Sequence, residues 1–345
     1  MPEPAVGGIT LKQAIWYATM AVLGIGVFVL GRSVETDSDT IVWHMPTAYP
    51  TSNYQSQTAQ LFADEVYACT NERLRIVVHA GGSLFKGHEI KRAVRTGQVP
   101  IGERLLSAHS NEHMMYAVDS IPFVVGGFGE AHRLWDIARP AMKDLLASEN
   151  LVLLYSVIWP PQGIYFRNEV TSIEEVRGMK FRAYNATTAR VAELAGMIPI
   201  QIEAAEMSQA LATGVVSSFM ASGSSGYDSK VWEHVDYFYD VKAWLPRNTV
   251  FANRDAFDRL DEGMRRCLRS AAQTAQAAGN ERAVEMTTWY IEQLLAEGMY
   301  VVSPGPVFAD ELATVGRQLA EEWSRRAGPE GERILREFLA GRDSD

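Results

Sequence analysis

The sequence predicts an α/β chain folded as two domains, on three observations. Short runs rich in β-branched and aromatic residues alternate with amphipathic stretches of helical period. A length of 345 residues, with 47% hydrophobic and 21% charged side chains, supplies apolar surface for one large or two medium cores and excludes disorder and low complexity. From Glu262 to about Leu295 the chain is Ala-rich and helical, with Gly279 as its one weak point. A helix of roughly 30 residues would be about 45 Å long, longer than one small domain, and is expected to lie across both.

The N-terminus states where the protein works. Lys12 precedes an uncharged run from Ala14 to Leu30, followed by Gly31, Arg32 and the polar linker SVETDSDT. The run is slightly long for the apolar core of a signal peptide and slightly short for a span, which needs about 20 apolar residues. It is either an export signal cleaved near residues 31 to 38 or an uncleaved anchor. Either way the remainder is expected in the periplasm. With no second such run downstream, the chain is not expected to be a permease itself.

Beyond the linker, Thr40 to Met45 (TIVWHM) reads as a strand and SQTAQLFADEVYACT as a helix, with Leu61, Phe62, Val66 and Cys69 at helical spacing. Leu74 to Ala80 (LRIVVHA) is the next strand. GGSLFKG is a glycine-rich turn and HEIKRAVRTG a helix stopped by Gly97. The second half repeats this logic. A strand from Leu151 to Trp159 ends at Pro160-Pro161, and NEVTSIEEVRG is expected to be a helix with Thr171 or Ser172 as N-cap and Gly178 as its stop. The strand MKFRAYN, the helix TTARVAELAG, the strand IPIQIEA, the helix EMSQALATG and the strand VVSSFMAS follow. Strand, helix and returning strand imply parallel pairing, with ligands at the carboxyl ends of the strands.

Composition and motifs exclude several functions. A net charge of −10 argues against nucleic-acid binding and means that an anionic ligand must be attracted locally. Gly223-Ser224-Ser225-Gly226 has the wrong spacing for a nucleophile elbow, and GGSLFKGHE lacks the ending of a phosphate-binding loop. No dinucleotide fingerprint is present. His109 and His113 are four apart but lack an evident third metal ligand. The chain is therefore expected to be no enzyme and to need no cofactor or metal. Its two cysteines, Cys69 and Cys267, are either a disulfide or two buried thiols.

What the sequence does offer is polar residues at strand ends. Arg182 closes the strand MKFR, with Asn185 just beyond, so a guanidinium fork and an amide stand at the carboxyl edge of a sheet. Arginine holds carboxylates bidentately, although an arginine tied into a surface ion pair would look the same in sequence.

The blocks HAGGSLFKGHEIKRAVRTGQVPIG, DSIPFVV, TSIEEVRGMKFRAYN, EMSQALATGVV, YDSKVWEHVDYFYDV and VFANRDAF resemble, in order and spacing, the substrate-binding subunits of tripartite ATP-independent periplasmic (TRAP) transporters of the dicarboxylate-binding-protein type. The similarity runs from about Thr40 to the C-terminus. It implies a periplasmic-binding-protein-like fold with hinge strands and a central cleft that closes on its ligand. It also implies a partner permease of a large and a small membrane subunit, driven by a sodium gradient. The resemblance makes Arg182 the salt-bridge partner of a ligand carboxylate and puts Asn185 at the pocket wall. Gln162 stands where some relatives carry a second arginine, which implies fewer charge contacts. Ala221 replaces the usual amide, whose role passes to Ser222. Tyr49, Phe85, Lys86 and Trp159 fall in loops facing the cleft.

The expected organisation is residues 1–38 as signal or anchor plus linker, 39–160 with 248–285 as the first domain, and 161–247 with 286–345 as the second. The expected function is capture of a small organic acid, a monocarboxylate, for delivery to the permease. Membrane contact would come through the permease or an uncleaved N-terminus. The alternatives are an anchored ligand sensor, a hydrolase or lyase on a bilobal scaffold, and a binder of a non-carboxylate polar solute.

Overall fold

The computed structural model describes residues 40–342. The expected signal or anchor at residues 14–30 lies outside them. Among the described residues no helix is long and apolar enough to cross a membrane.

The first group of strands opens with β1 (Ile41–Pro46) and β2 (Leu74–His79), parallel, with Trp43 opposite Ile76. Between them runs α1 (Tyr54–Cys69), started by Asn53, whose side chain accepts from the Gln55 N–H, and buried along Phe62, Ala63 and Val66. Next come α2 (Gly87–Arg95), β3 (Ile101–Leu105), α3 (Phe128–Ser148) and β4 (Leu151–Ile158).

The chain then builds a six-stranded sheet from β5 (Gln162–Phe166), β6 (Lys180–Ala183), β7 (Ile198–Gln201), β8 (Ser218–Ser222) and β9 (Tyr237–Tyr239), completed later by β11. Three short helices connect these strands: α4 (Ala186–Leu194), α5 (Met207–Ala212) and α6 (Gly223–Asp228). Strand β10 (Arg247–Asn253) returns to the first group and pairs antiparallel with both β3 and β4. After α7 (Arg254–Asp258) come α8 (Glu262–Ala296), β11 (Tyr300–Val302) and α9 (Pro306–Arg342), the last kinked at Gly328 before Pro329.

The expected parallel pairing holds for β1–β2, β6–β7, β6–β8 and β9–β11. It fails at β5 and β10, which pair antiparallel with their neighbours. These two strands carry the chain from one sheet to the other and back, so they meet their neighbours from the opposite direction. The helix expected in NEVTSIEEVRG is a single 3-10 turn, Ile173–Val176. The Glu175 carboxylate accepts from the Thr171 backbone N–H and hydroxyl, a local closure, and Gly178, at φ 74°, turns the chain directly into β6.

Helix α8 has 35 residues, about 52 Å at the helical rise, and packs on α1 and β4 of the first group and on α6 and β11 of the second. Gly279 is a packing requirement of this helix: a Cβ there would stand 2.8 Å from Val157 and 2.9 Å from Thr58. Cys69, the last residue of α1, is bonded to Cys267 near the start of α8, with Cα atoms 5.6 Å apart. The disulfide, and not the pair of free buried thiols, is the state in this fold.

Candidate ligand-binding site

Strand ends from both groups meet around a cavity of about 260 Å³. The first group contributes Tyr49 beyond β1, Gly81 beyond β2, Arg104 on β3 and Trp159 beyond β4. The second contributes Gln162 at the start of β5, Arg182 on β6 with Tyr184 just past it, Glu203 beyond β7 and Asp228 at the end of α6. Two successive glycines in the left-handed region, Gly81 and Gly82, let the turn after β2 fold back so that their N–H groups donate to the carbonyls of Tyr49 (2.7 Å) and Thr47 (2.8 Å). That bond fixes the loop carrying Tyr49.

Arg182 is the central cation. It is only 4% exposed, its Nε donates to the Ile202 carbonyl at 2.9 Å, and its guanidinium carbon lies 5.2 Å from the centre of the Tyr184 ring. The terminal nitrogens make no hydrogen bond among the described residues, and no carboxylate is paired with them. Burial pulls the Arg182 pKa below its ordinary value, opposed mainly by Tyr184, Tyr49 and Glu203. A desolvated guanidinium with free donors facing a cavity is a site for an anion.

The second cation of the cavity is already neutralised. Arg104, 3% exposed, meets Glu203 in a two-point pair: Nη1 to Oε2 and Nη2 to Oε1, each 3.0 Å. This clasp joins β3 of the first group to the segment after β7 of the second. Gly87 is packed against it so closely that a Cβ would fall on Arg104 and Glu203. Further hydrogen bonds join the same halves: Asn185 Nδ2 donates to Ser107 Oγ at 3.0 Å, and Asn53 Nδ2 donates both to Asp228 Oδ2 at 2.5 Å and to Ser224 Oγ at 3.3 Å.

The aromatic wall is held from behind. Trp159 packs on Tyr49, ring centres 4.7 Å apart, and its Nε1 donates to Asn248 Oδ1 at 2.8 Å. Asn248 Nδ2 in turn donates to Glu103 Oε1 at 2.9 Å. Glu103 is buried, its Oε2 has no hydrogen-bond partner among the described residues, and burial pushes its pKa up to about 7 against the opposing pull of Asn248 and Arg104. Gln162 is oriented by donating to the Pro160 carbonyl (3.1 Å) and accepting from the Tyr184 hydroxyl (3.3 Å).

Of the eight residues expected from sequence, Tyr49, Trp159, Gln162 and Arg182 line the cavity together, and the other four stand apart from its lining. Asn185 caps α4, accepting from the Thr188 N–H at 2.8 Å, and spends its amide on Ser107. Ser222 caps α6 through the Ser225 N–H, and its carbonyl accepts from Tyr165. Phe85 is half-buried against the hydrophobic core, and Lys86 is exposed at the start of α2. Sequence reasoning missed Arg104, Glu203, Tyr184 and Asp228. The Glu103-Arg104 pair was the available signal, two adjacent charges inside a five-residue strand that is buried throughout. Among the described residues no cluster of three or more metal-ligating side chains is present. His109 holds Glu112 (2.7 Å) and His113 accepts from the Met115 N–H.

Two strand groups clasped over a cavity that contains an uncompensated guanidinium define a solute-binding protein. The chain belongs to the DctP family, the family 7 bacterial extracellular solute-binding proteins, whose model matches residues 46–326, and it is an extracytoplasmic solute receptor of TRAP type. A TRAP solute-binding protein from an unidentified marine metagenome microbe, specific for pyroglutamate and solved with co-purified pyroglutamate, is 46% identical over 88% of this chain and 99% of that one, with a TM-score of 0.86. The Bordetella pertussis extracytoplasmic solute receptors DctP6 and DctP7, both binding pyroglutamic acid, are 38% and 37% identical. Each covers 87% of this chain; 99% of DctP6 and 100% of DctP7 are covered, at TM-scores of 0.85 and 0.86. The α/β fold with its long helix is that of these receptors.

Proposed function

We propose that this receptor captures a small cyclic monocarboxylate of the pyroglutamate class in the periplasm and delivers it to a TRAP permease. The observation that carries this is Arg182, buried, unpaired and aimed at a cavity whose other arginine is already neutralised. One free guanidinium suits one carboxylate. Tyr49, Trp159 and Tyr184 supply the flat apolar and aromatic surface that a small ring needs, and Gln162 supplies a neutral polar contact. Three pyroglutamate-binding relatives between 37% and 46% identical support the ligand class. On this reading residues 39–160 with 248–285 and 161–247 with 286–345 are two domains that close over the ligand. Arg104–Glu203, Asn185–Ser107, Asn53–Asp228 and Asn53–Ser224 are then among the contacts of the closed form.

Titration calorimetry and thermal unfolding of the purified protein with pyroglutamate test this. Ligand at 100 times its Kd adds about 2.7 kcal/mol, which for roughly 300 folded residues is a rise of about 4 °C. Arg182→Ala leaves a buried carboxylate without its partner, a loss of about 3 to 5 kcal/mol, or at least two orders of magnitude in affinity. If no carboxylate raises the melting temperature of the wild type, or if Arg182→Ala binds as tightly, the assignment falls.

A further inference from the structure

We infer that Asp228 determines specificity by accepting a hydrogen bond from a ring N–H of the ligand, so that the cavity selects a cyclic acid bearing an N–H beside its single carboxylate. This rests on the ligand reading above and extends it from the carboxylate to the other end of the molecule. Asp228 closes the last turn of α6 and lines the same cavity as Arg182. Its Oδ2 is fixed by Asn53 Nδ2 at 2.5 Å, which orients the carboxylate from across the cleft. Its Oδ1 has no hydrogen-bond partner among the described residues. Burial pushes the Asp228 pKa up, opposed by the Asn53 amide, so the group gains from one more donor.

The charges of the cavity sharpen the selection. Glu203 cancels Arg104, which leaves Arg182 and Asp228 as one positive and one negative group on the wall. A dicarboxylate would pair one end with Arg182 and bring the other into a cavity whose remaining uncancelled charge is an anion. A lactam acid or a cyclic imino acid instead offers its carboxylate to Arg182 and its N–H to Asp228.

Calorimetry with three ligands and two proteins decides the matter. The probes are pyroglutamate, its lactone isostere 5-oxotetrahydrofuran-2-carboxylate, in which ring oxygen replaces N–H, and proline. The wild type should bind the lactam about 10- to 150-fold more tightly than the lactone, the range for a hydrogen bond to a charged group. In Asp228→Asn the amide presents N–H where the carboxylate presented an acceptor, and the lactam-to-lactone ratio should fall to about one or invert. A wild type that binds both equally overturns the assignment even if the variant fails to fold. Equal weakening of both ligands in a folded Asp228→Asn overturns it as well. Pyroglutamate failing to bind the wild type, with proline binding and sensitive to Asp228→Asn, keeps the N–H acceptor and overturns the lactam reading alone.

Discussion

Replacing Cys69 and Cys267 together by serine should cost about 5 kcal/mol of stability while leaving ligand affinity unchanged. The bond closes a loop of sequence separation 198, and the loop-entropy relation, about 3 kcal/mol for 15 residues and 4.7 for 100, extends to about 5 kcal/mol here. The native side of the balance changes little. Helices α1 and α8 pack together from the Cys69–Cys267 end to Thr58 beside Gly279, with Phe62, Val66, Leu268 and Ala272 among the buried residues of the same core, and that contact survives loss of the sulfurs. The effect therefore resides in the unfolded chain, which gains freedom when the link is cut. With an unfolding entropy of about 2.1 cal/mol/K per residue over roughly 300 residues, the melting temperature should drop by roughly 8 °C.

Urea unfolding separates the possibilities. Oxidised wild type, wild type in reducing agent and the double serine variant are compared. The second and third should coincide, both with a lower midpoint and a steeper denaturant dependence, because an uncrosslinked chain exposes more surface. Pyroglutamate binding should match in all three, since neither cysteine lines the cavity. Two titratable thiols in freshly purified protein, or coincident curves for the oxidised and reduced forms, would refute the reasoning.

Two further substitutions have signed outcomes. Glu103 has its folded pKa raised from 4.5 to about 7, so its contribution is intact below pH 4.5 and is lost as pH rises through 7. Glu103→Gln keeps an oxygen for Asn248, and its stability relative to wild type should rise between pH 5 and pH 8 by on the order of 3 kcal/mol; a pH-independent difference in urea unfolding would contradict this. Gly279→Ala should destabilise α8 despite alanine's helix-propensity advantage of about 1 kcal/mol, because the new Cβ meets Val157 at 2.8 Å and Thr58 at 2.9 Å and overpacking costs about 1 to 3 kcal/mol; a melting temperature above wild type would show that the α1–α8–β4 contact yields.

Arg182 was legible in the sequence because its signal is local: an arginine at the carboxyl end of a short strand needs only the strand to be recognised. Asp228, Arg104 and Glu203 carry their meaning in partners 175 and 99 residues away, and no local pattern encodes such a pairing. Asn185 and Ser222 show the converse. Both sit at strand ends as expected, but each begins a helix there, and the orphan N–H groups of that helix claim the side chain. Strand β5 was hidden behind Pro160-Pro161, which reads as a turn, and β10 opens with Arg247, Asn248 and Thr249, polar residues that look exposed but are buried. The disulfide could not be read from two isolated cysteines, because only the packing of α1 on α8 brings them to 5.6 Å.

The cavity's charges also bear on how an acidic protein would hold the proposed carboxylate. At a net charge of −10 the long-range field opposes a carboxylate, so affinity must come from short range, where water is excluded and one guanidinium outweighs distant charges. Closing the cleft without ligand would bury Arg182 uncompensated, at a cost of several kcal/mol. The Arg104–Glu203 clasp and the hydrogen bonds that Asn185 and Asn53 donate across the cleft oppose that cost, and the desolvation of the clasp itself limits what they return. On the two-domain reading proposed above, the ligand carboxylate favours closure by removing the Arg182 penalty. Ligand and closure would then be coupled through one residue. That is what a receptor needs if a permease is to distinguish its loaded form from its empty one.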